Sequence, residues 1–201
     1  MNFLAHLYVA DATLGGGAAV WIGSLLPDLA RPHHALDGLP PRAVAAVHQH
    51  RLVDAFTDTH PLVERSKARL RARHGRYTGI LVDVFYDHLL AGTWDRYSAT
   101  PLPQFIAQVH AAFRGHPHWM PPTMRYPVGK LMEEDWLSCY ATVAGIELVL
   151  RRMSNRLSRR FERTVELHAA MPDLVQHKAS LEQDFAAFFP RLVAHAQDAA
   201  R

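Results

Sequence analysis

Val82-Asp83-Val84-Phe85-Tyr86-Asp87-His88-Leu89-Leu90 is apolar around nearly the whole circumference of a helix, yet it carries two carboxylates and an imidazole. A helix apolar on all sides belongs inside a larger helical body. Asp83 and Asp87 are four residues apart, which puts them on one face about 6 Å apart along the axis, with His88 about 100° further round. Burying two like charges together costs several kcal/mol each unless something positive compensates. A divalent cation is the usual compensator. The alternative is that one carboxylate pairs with an arginine or caps a neighbouring helix.

Outward from this stretch, alternating β-branched runs and Asn-Gly or Asp-Gly turns are missing, while Ala, Leu, Arg and Glu recur at helical spacing. Prolines cut the chain into predicted helices over 2–9, 14–26, 41–57, 61–73, 77–94, 102–113, 129–152, 155–169 and 172–198. With no internal repeat or low-complexity linker, the expectation is an all-α fold, one compact helical domain over residues 1–201. A chain of 201 residues, 49% of them apolar, buries roughly 70% of its extended surface and needs no staples. Cys139 is the single cysteine, so disulfides and Cys-rich zinc sites are excluded and a reducing compartment is expected. No apolar run reaches the ~18–20 residues that span a bilayer. Met1–Leu7 also lacks the basic start and cleavage site of a signal peptide, so the expected location is cytoplasmic.

The 14 histidines raise the prospect of metal or acid–base chemistry. His33, His34, His116 and His118 lie beside prolines and read as loop residues. A net charge of +3 favours an acidic partner over a membrane but is too low for a dedicated nucleic-acid binder. Gly15-Gly16-Gly17 has no following Lys-Ser or Lys-Thr and no preceding strand, so it reads as a flexible helix entry and not a phosphate loop.

A second constellation, His50-Arg51-Leu52-Val53-Asp54-Ala55-Phe56-Thr57-Asp58, sets His50, Asp54 and Asp58 within an arc of roughly 80°. Aligned His and Asp suit ligands or acid–base groups, with Arg51 ready for a phosphate. The competing reading is weak surface pairing of Asp54 and Asp58 with Arg51 and Arg65. In Gly23-Ser24-Leu25-Leu26-Pro27-Asp28, Pro27 is expected to interrupt an apolar helix so that Asp28 turns inward; alone, this is a helix-ending turn. His6 alone reads as a core histidine. The sets share His and Asp without thiolate, which suits Mn²⁺, Mg²⁺ or Fe²⁺ better than structural zinc. Such a site activates water and neutralises phosphate oxygens, making phosphoester hydrolysis the leading chemistry. No Gly-x-Ser-x-Gly occurs, and Cys139 falls in an apolar helix.

The sequence resembles the acyl carrier protein phosphodiesterase family. The matching pieces are Asn2-Phe3-Leu4-Ala5-His6-Leu7, Gly23 to Asp28, His50 to Pro61, and Asp83 to Leu90 followed by Trp94. They cover roughly the first half of the chain; beyond Trp94 only general helical character with Arg-rich faces is visible. The resemblance implies an all-α fold distantly related to HD-domain metal phosphohydrolases, a Mn²⁺ requirement, and cleavage of the 4′-phosphopantetheine arm from the serine of holo-acyl carrier protein. Ala30-Arg31-Pro32-His33-His34 departs from the pattern, since a Gly usually follows the basic residue there. On this resemblance His6, Asp28, His50, Asp87 and His88 are metal ligands or the groups behind them. Asp83 and Asp54 orient or exchange protons, and Arg51 holds phosphate oxygens.

Acyl carrier proteins are small and acidic, and Arg65, Lys67, Arg69, Arg71, Arg73 and Arg76 offer a basic docking face. Its alternative is an ordinary solvated helix. Two other functions compete: an HD-like phosphohydrolase of nucleotides or other small phosphoesters, and a non-catalytic helical module binding nucleic acid through residues 65–76 and 151–160. The basic residues lack the interleaved aromatics of the latter.

Overall fold

Helix α5, Thr78–Gly92, carries the deciding stretch and packs against α1 (Phe3–Leu14), α4 (Pro61–His74), α9 (Val143–Phe161) and α10 (Met171–Ala199). The computed structural model describes residues 1–30, 36 and 38–201. Phe85, Tyr86 and Leu90 are wholly buried, and each such side chain contributes about 1.5–3 kcal/mol. That burial helps offset the cost of enclosing Asp87, which is also inaccessible to solvent. The remaining helices are α2 (Ala18–Leu29), α3 (Pro41–Thr59), α6 (Leu102–Gly115), α7 (Pro122–Glu133) and α8 (Trp136–Cys139). The described residues contain no strand, and one apolar cluster draws side chains from all ten helices. The expected all-α architecture is therefore what forms. No helix among the described residues is long and apolar enough to cross a membrane.

Prolines start helices at Pro41 and Pro61, where the missing amide would have had no partner. Elsewhere they mislead. Pro27 lies inside α2 and does not end it; only Asp28 and Leu29 follow, and the buried Trp21, Ile22, Leu25 and Leu26 offset the roughly 3 kcal/mol that an interior proline costs. Pro127 likewise sits inside α7, whose first turns, before residue 129, lie outside the expected helices. The expected helix over 129–152 is broken: Asp135 at φ +46° leaves α7, and α9 begins anew where the Thr142 hydroxyl accepts from the Gly145 amide at 3.0 Å. A side chain at Gly145 would strike the Cys139 carbonyl, so the turn can close only on glycine. From there α9 runs unbroken to Phe161, across the expected break near 153–154.

Gly15 and Gly17 take positive φ, +67° and +119°, which side chains rarely tolerate. The Arg42 guanidinium donates to the Leu14 carbonyl at 2.7 Å and to that of Gly15, closing the α1–α2 turn. His33, His34 and the segment 31–34, where the departure from the family pattern was noted, lie outside the described residues.

The basic run along α4 and the turn after it faces the chain's own acids. Arg65, Arg69 and Ser66 bind the fully buried Asp184 of α10, and Arg73 and His74 bind Asp173 at 2.9 and 2.8 Å. Lys67 pairs with Asp58 and Arg71 with Glu64. Only Arg76 of the run lacks a carboxylate partner among the described residues; it lies over the Tyr77 ring. The run mainly fastens α4 to α10 and leaves little free charge for docking.

Candidate metal centre

Two helices meet at one carboxylate and a third braces them. His50 and Asp54 lie one turn apart on α3, and His6 reaches them from α1. Helices α2 and α3 meet at Gly23, where a Cβ would collide with the Ala43 backbone, and one residue on, the Ser24 carbonyl accepts from His50 Nδ1 at 2.7 Å. That bond puts the His50 proton on Nδ1 and turns Nε2 toward the acids. Nε2 lies 3.1 Å from Asp54 Oδ2 and 3.7 Å from Asp28 Oδ1. The His6 ring stacks on His50 with centroids 3.7 Å apart and planes within 14°. His6 Nε2 is 3.1 Å from Asp54 Oδ1 but out of line, and neither ring nitrogen of this buried residue has a hydrogen-bond partner.

Burial pushes the His6 pKa down to about 3, against the pull of Asp54, so the ring is neutral near pH 7. Burial would also lower His50, but the Asp54 bond and the Asp28 charge outweigh it and raise its pKa. For Asp54 burial acts upward, and the His50 and His6 contacts overcome it, holding the carboxyl well below its ordinary range. Asp28 is raised, chiefly by burial.

His6, His50 and Asp54 offer ligand atoms all within 4.8 Å of one another. A buried imidazole nitrogen left without a partner costs about 1–3 kcal/mol, and a cation facing it removes that cost. Two imidazoles and a carboxylate are a donor set that could hold a divalent cation. The surrounding charge agrees: among the described residues no Arg or Lys pairs with Asp28, Asp54, Asp83 or Asp87. The Met1 amine does, at 3.2 Å from Asp83 and 3.7 Å from Asp54. Burial opposes its charge, and Asp83 with Asp54 more than restores it.

Of the other expected site residues, Asp28 and Asp83 border the cluster, whereas Asp87, His88 and Arg51 are engaged elsewhere or stand apart. Asp87 accepts the backbone amides of Leu4 at 2.7 Å and Ala5 at 3.3 Å, closing two open donors at the start of α1. It is the cap of a neighbouring helix, and burial lifts its pKa to about 7. His88 donates from Nδ1 to the Tyr140 carbonyl at 2.7 Å, tying α5 to the exit of α8. Arg51 is exposed, with no hydrogen bond or ion pair to the cluster. Asp83 and Asp28 together line a cleft of about 200 Å³ beside it. Arg156 of α9 lines that cleft too; no local motif marks it, because its neighbourhood exists only once α9 packs beside α5.

Over residues 1–192 the chain matches the family model described as acyl carrier protein phosphodiesterase. It is 35% identical to the acyl carrier protein phosphodiesterase of Yersinia enterocolitica over 98% of both chains. The protein of that name from Photorhabdus laumondii is 32% identical, over 98% of this chain and 96% of its own. That from Escherichia coli O157:H7 is 32% identical, over 98% and 97%. The match thus extends well past Trp94, where motifs alone fell silent. No solved structure matches the chain.

Proposed function

The chain belongs to the acyl carrier protein phosphodiesterase family, and from that premise we propose that it is a hydrolase removing 4′-phosphopantetheine from holo-acyl carrier protein. Water adds to phosphorus, the bond to the carrier serine oxygen breaks, and that oxygen takes a proton to leave apo-carrier. The observation that carries this reading is the stacked His6–His50 pair around Asp54, with His6 nitrogens that have no hydrogen-bond partner among the described residues.

His6, His50 and Asp54 would hold a divalent cation, Mn²⁺ being the ion favoured by the donor set and the family resemblance. When bound, such a cation neutralises phosphate oxygens and lowers the pKa of water. Residues 1–201 supply the rest as one helical domain. The Ser24 carbonyl keeps the His50 proton on Nδ1. Asp87 fixes the first turn of α1 and with it the height of His6. Asp28, its pKa raised by burial, and Asp83 both line the cleft and are the groups placed to pass protons to and from the reacting oxygens.

Purified protein with Mn²⁺ should convert holo-carrier to the apo form, read by intact mass as loss of phosphopantetheine. A carrier mass unchanged across several divalent metals, with a nucleotide hydrolysed instead, would favour the small-phosphoester reading.

A further inference from the structure

The cleft beside the metal centre does not end there. It shares Phe3 and Arg156 with a groove of about 550 Å³ between α7 and α9, a volume in the usual range for a small-molecule site. Phe3, Leu131 and Trp136 give the groove an apolar, aromatic lining, and Tyr126 stands at its edge with 74% of its surface exposed. Trp136 is held in place: its indole donates to Glu134 at 2.8 Å, and Arg152 lies over the ring. Arg156 and Arg159 also line the groove. Both are exposed, and neither pairs with a carboxylate among the described residues. They differ in this from the α4 arginines, most of which the chain's own acids occupy.

We propose that this groove seats the pantetheine arm of the substrate, with Arg156, at the junction, meeting the phosphodiester. The arm is a neutral chain of methylenes, a dimethyl carbon, a hydroxyl and two amides that ends in a thiol, and it leaves the phosphate as a single extended strand. The aromatic lining matches its hydrocarbon parts, and the free Arg159 guanidinium is a donor for its amide carbonyls. One anionic group at one end and a neutral tail beyond match a cation at the cleft mouth and an apolar channel leading away. The inference rests on the proposed substrate, and it moves recognition from α4 to α9.

Calorimetric titration of metal-free protein with 4′-phosphopantetheine tests it. The wild type should bind, and Tyr126→Ala and Arg159→Ala, both at exposed positions, should each raise Kd about fivefold, as expected for truncating one contributing contact. Inorganic phosphate, titrated in parallel, should bind no differently in the two variants. With Mn²⁺ present, both variants should raise KM for holo-carrier relative to bis(4-nitrophenyl) phosphate, a diester with no arm. Absence of wild-type binding, or unchanged Kd in both variants, overturns the proposal. So does a carrier KM raised by Arg71→Glu on α4 but not by the groove variants. If the wild type leaves holo-carrier intact, the functional reading fails, while the titration still decides the groove.

Discussion

Asp54 and Asp184 are both carboxylates drawn among helices, and they are satisfied in opposite ways. Asp184 receives two arginines and a serine hydroxyl, so its charge is neutralised by permanent cations that cannot leave. Asp54 is approached by two histidines, of which His6 is held neutral by burial and makes no hydrogen bond, and by the Met1 amine. An arginine-sealed acid fastens helices together, since nothing further can approach it. An acid faced by a buried imidazole with open nitrogens is incomplete until a cation arrives, and incompleteness of that kind marks a site.

Exchanging the roles of the two acids by mutation breaks this comparison if it is mistaken. Asp54→Asn should lower kcat/KM for holo-carrier by more than about 100-fold, because even groups behind a metal ligand are worth about 10–100-fold, and should leave thermal stability nearly intact. Asp184→Ala should do the reverse. Removing one partner of a buried pair costs about 3–5 kcal/mol, less here because Arg65 is half exposed. A fall in Tm of about 5–10 °C follows for a chain of this size, with turnover per folded molecule preserved. Loss of activity without loss of stability in Asp184→Ala would erase the distinction.

Asp87 lies between the two types, a buried acid satisfied by backbone amides alone. Its folded pKa of about 7 stands above the ordinary 3.8, so between those values the folded chain binds a proton that the unfolded chain releases. Asp87 therefore makes stability fall as pH rises through that window. Urea midpoints measured from pH 4 to pH 7.5 should show this contribution in the wild type and its absence in Asp87→Asn; equal slopes would mean that Asp87 is already ionised throughout. The amide bonds already hold this pKa down, and the expected difference across the whole window is of the same order as the Asp184→Ala effect.

The local pattern made much of this legible. The apolar circumference of 82–90 marked a buried α5, and the i, i+4 spacing of His50 and Asp54 put them on one face of α3. Composition and proline spacing were enough for an all-α fold. What stayed hidden depends on tertiary approach. Nothing around Asp87 shows that α1 will present two open amides to it, or that the Tyr140 carbonyl will meet His88. The arginines of α4 look free until α10 brings Asp173 and Asp184 across. Proline patterning failed at Pro27 and Pro127 because packing outweighed one lost hydrogen bond, whereas Thr142 with Gly145 was a readable start signal for α9.

The central claim is that His6, His50 and Asp54 hold the cation while Asp87 holds α1. Titrating Mn²⁺ into wild type, Asp54→Asn and Asp87→Asn, with the free-ion paramagnetic resonance signal as readout, separates the two. The signal should stay undiminished with Asp54→Asn and be quenched by Asp87→Asn at an affinity within about tenfold of wild type. Retained binding in Asp54→Asn together with lost binding in a folded Asp87→Asn would contradict it.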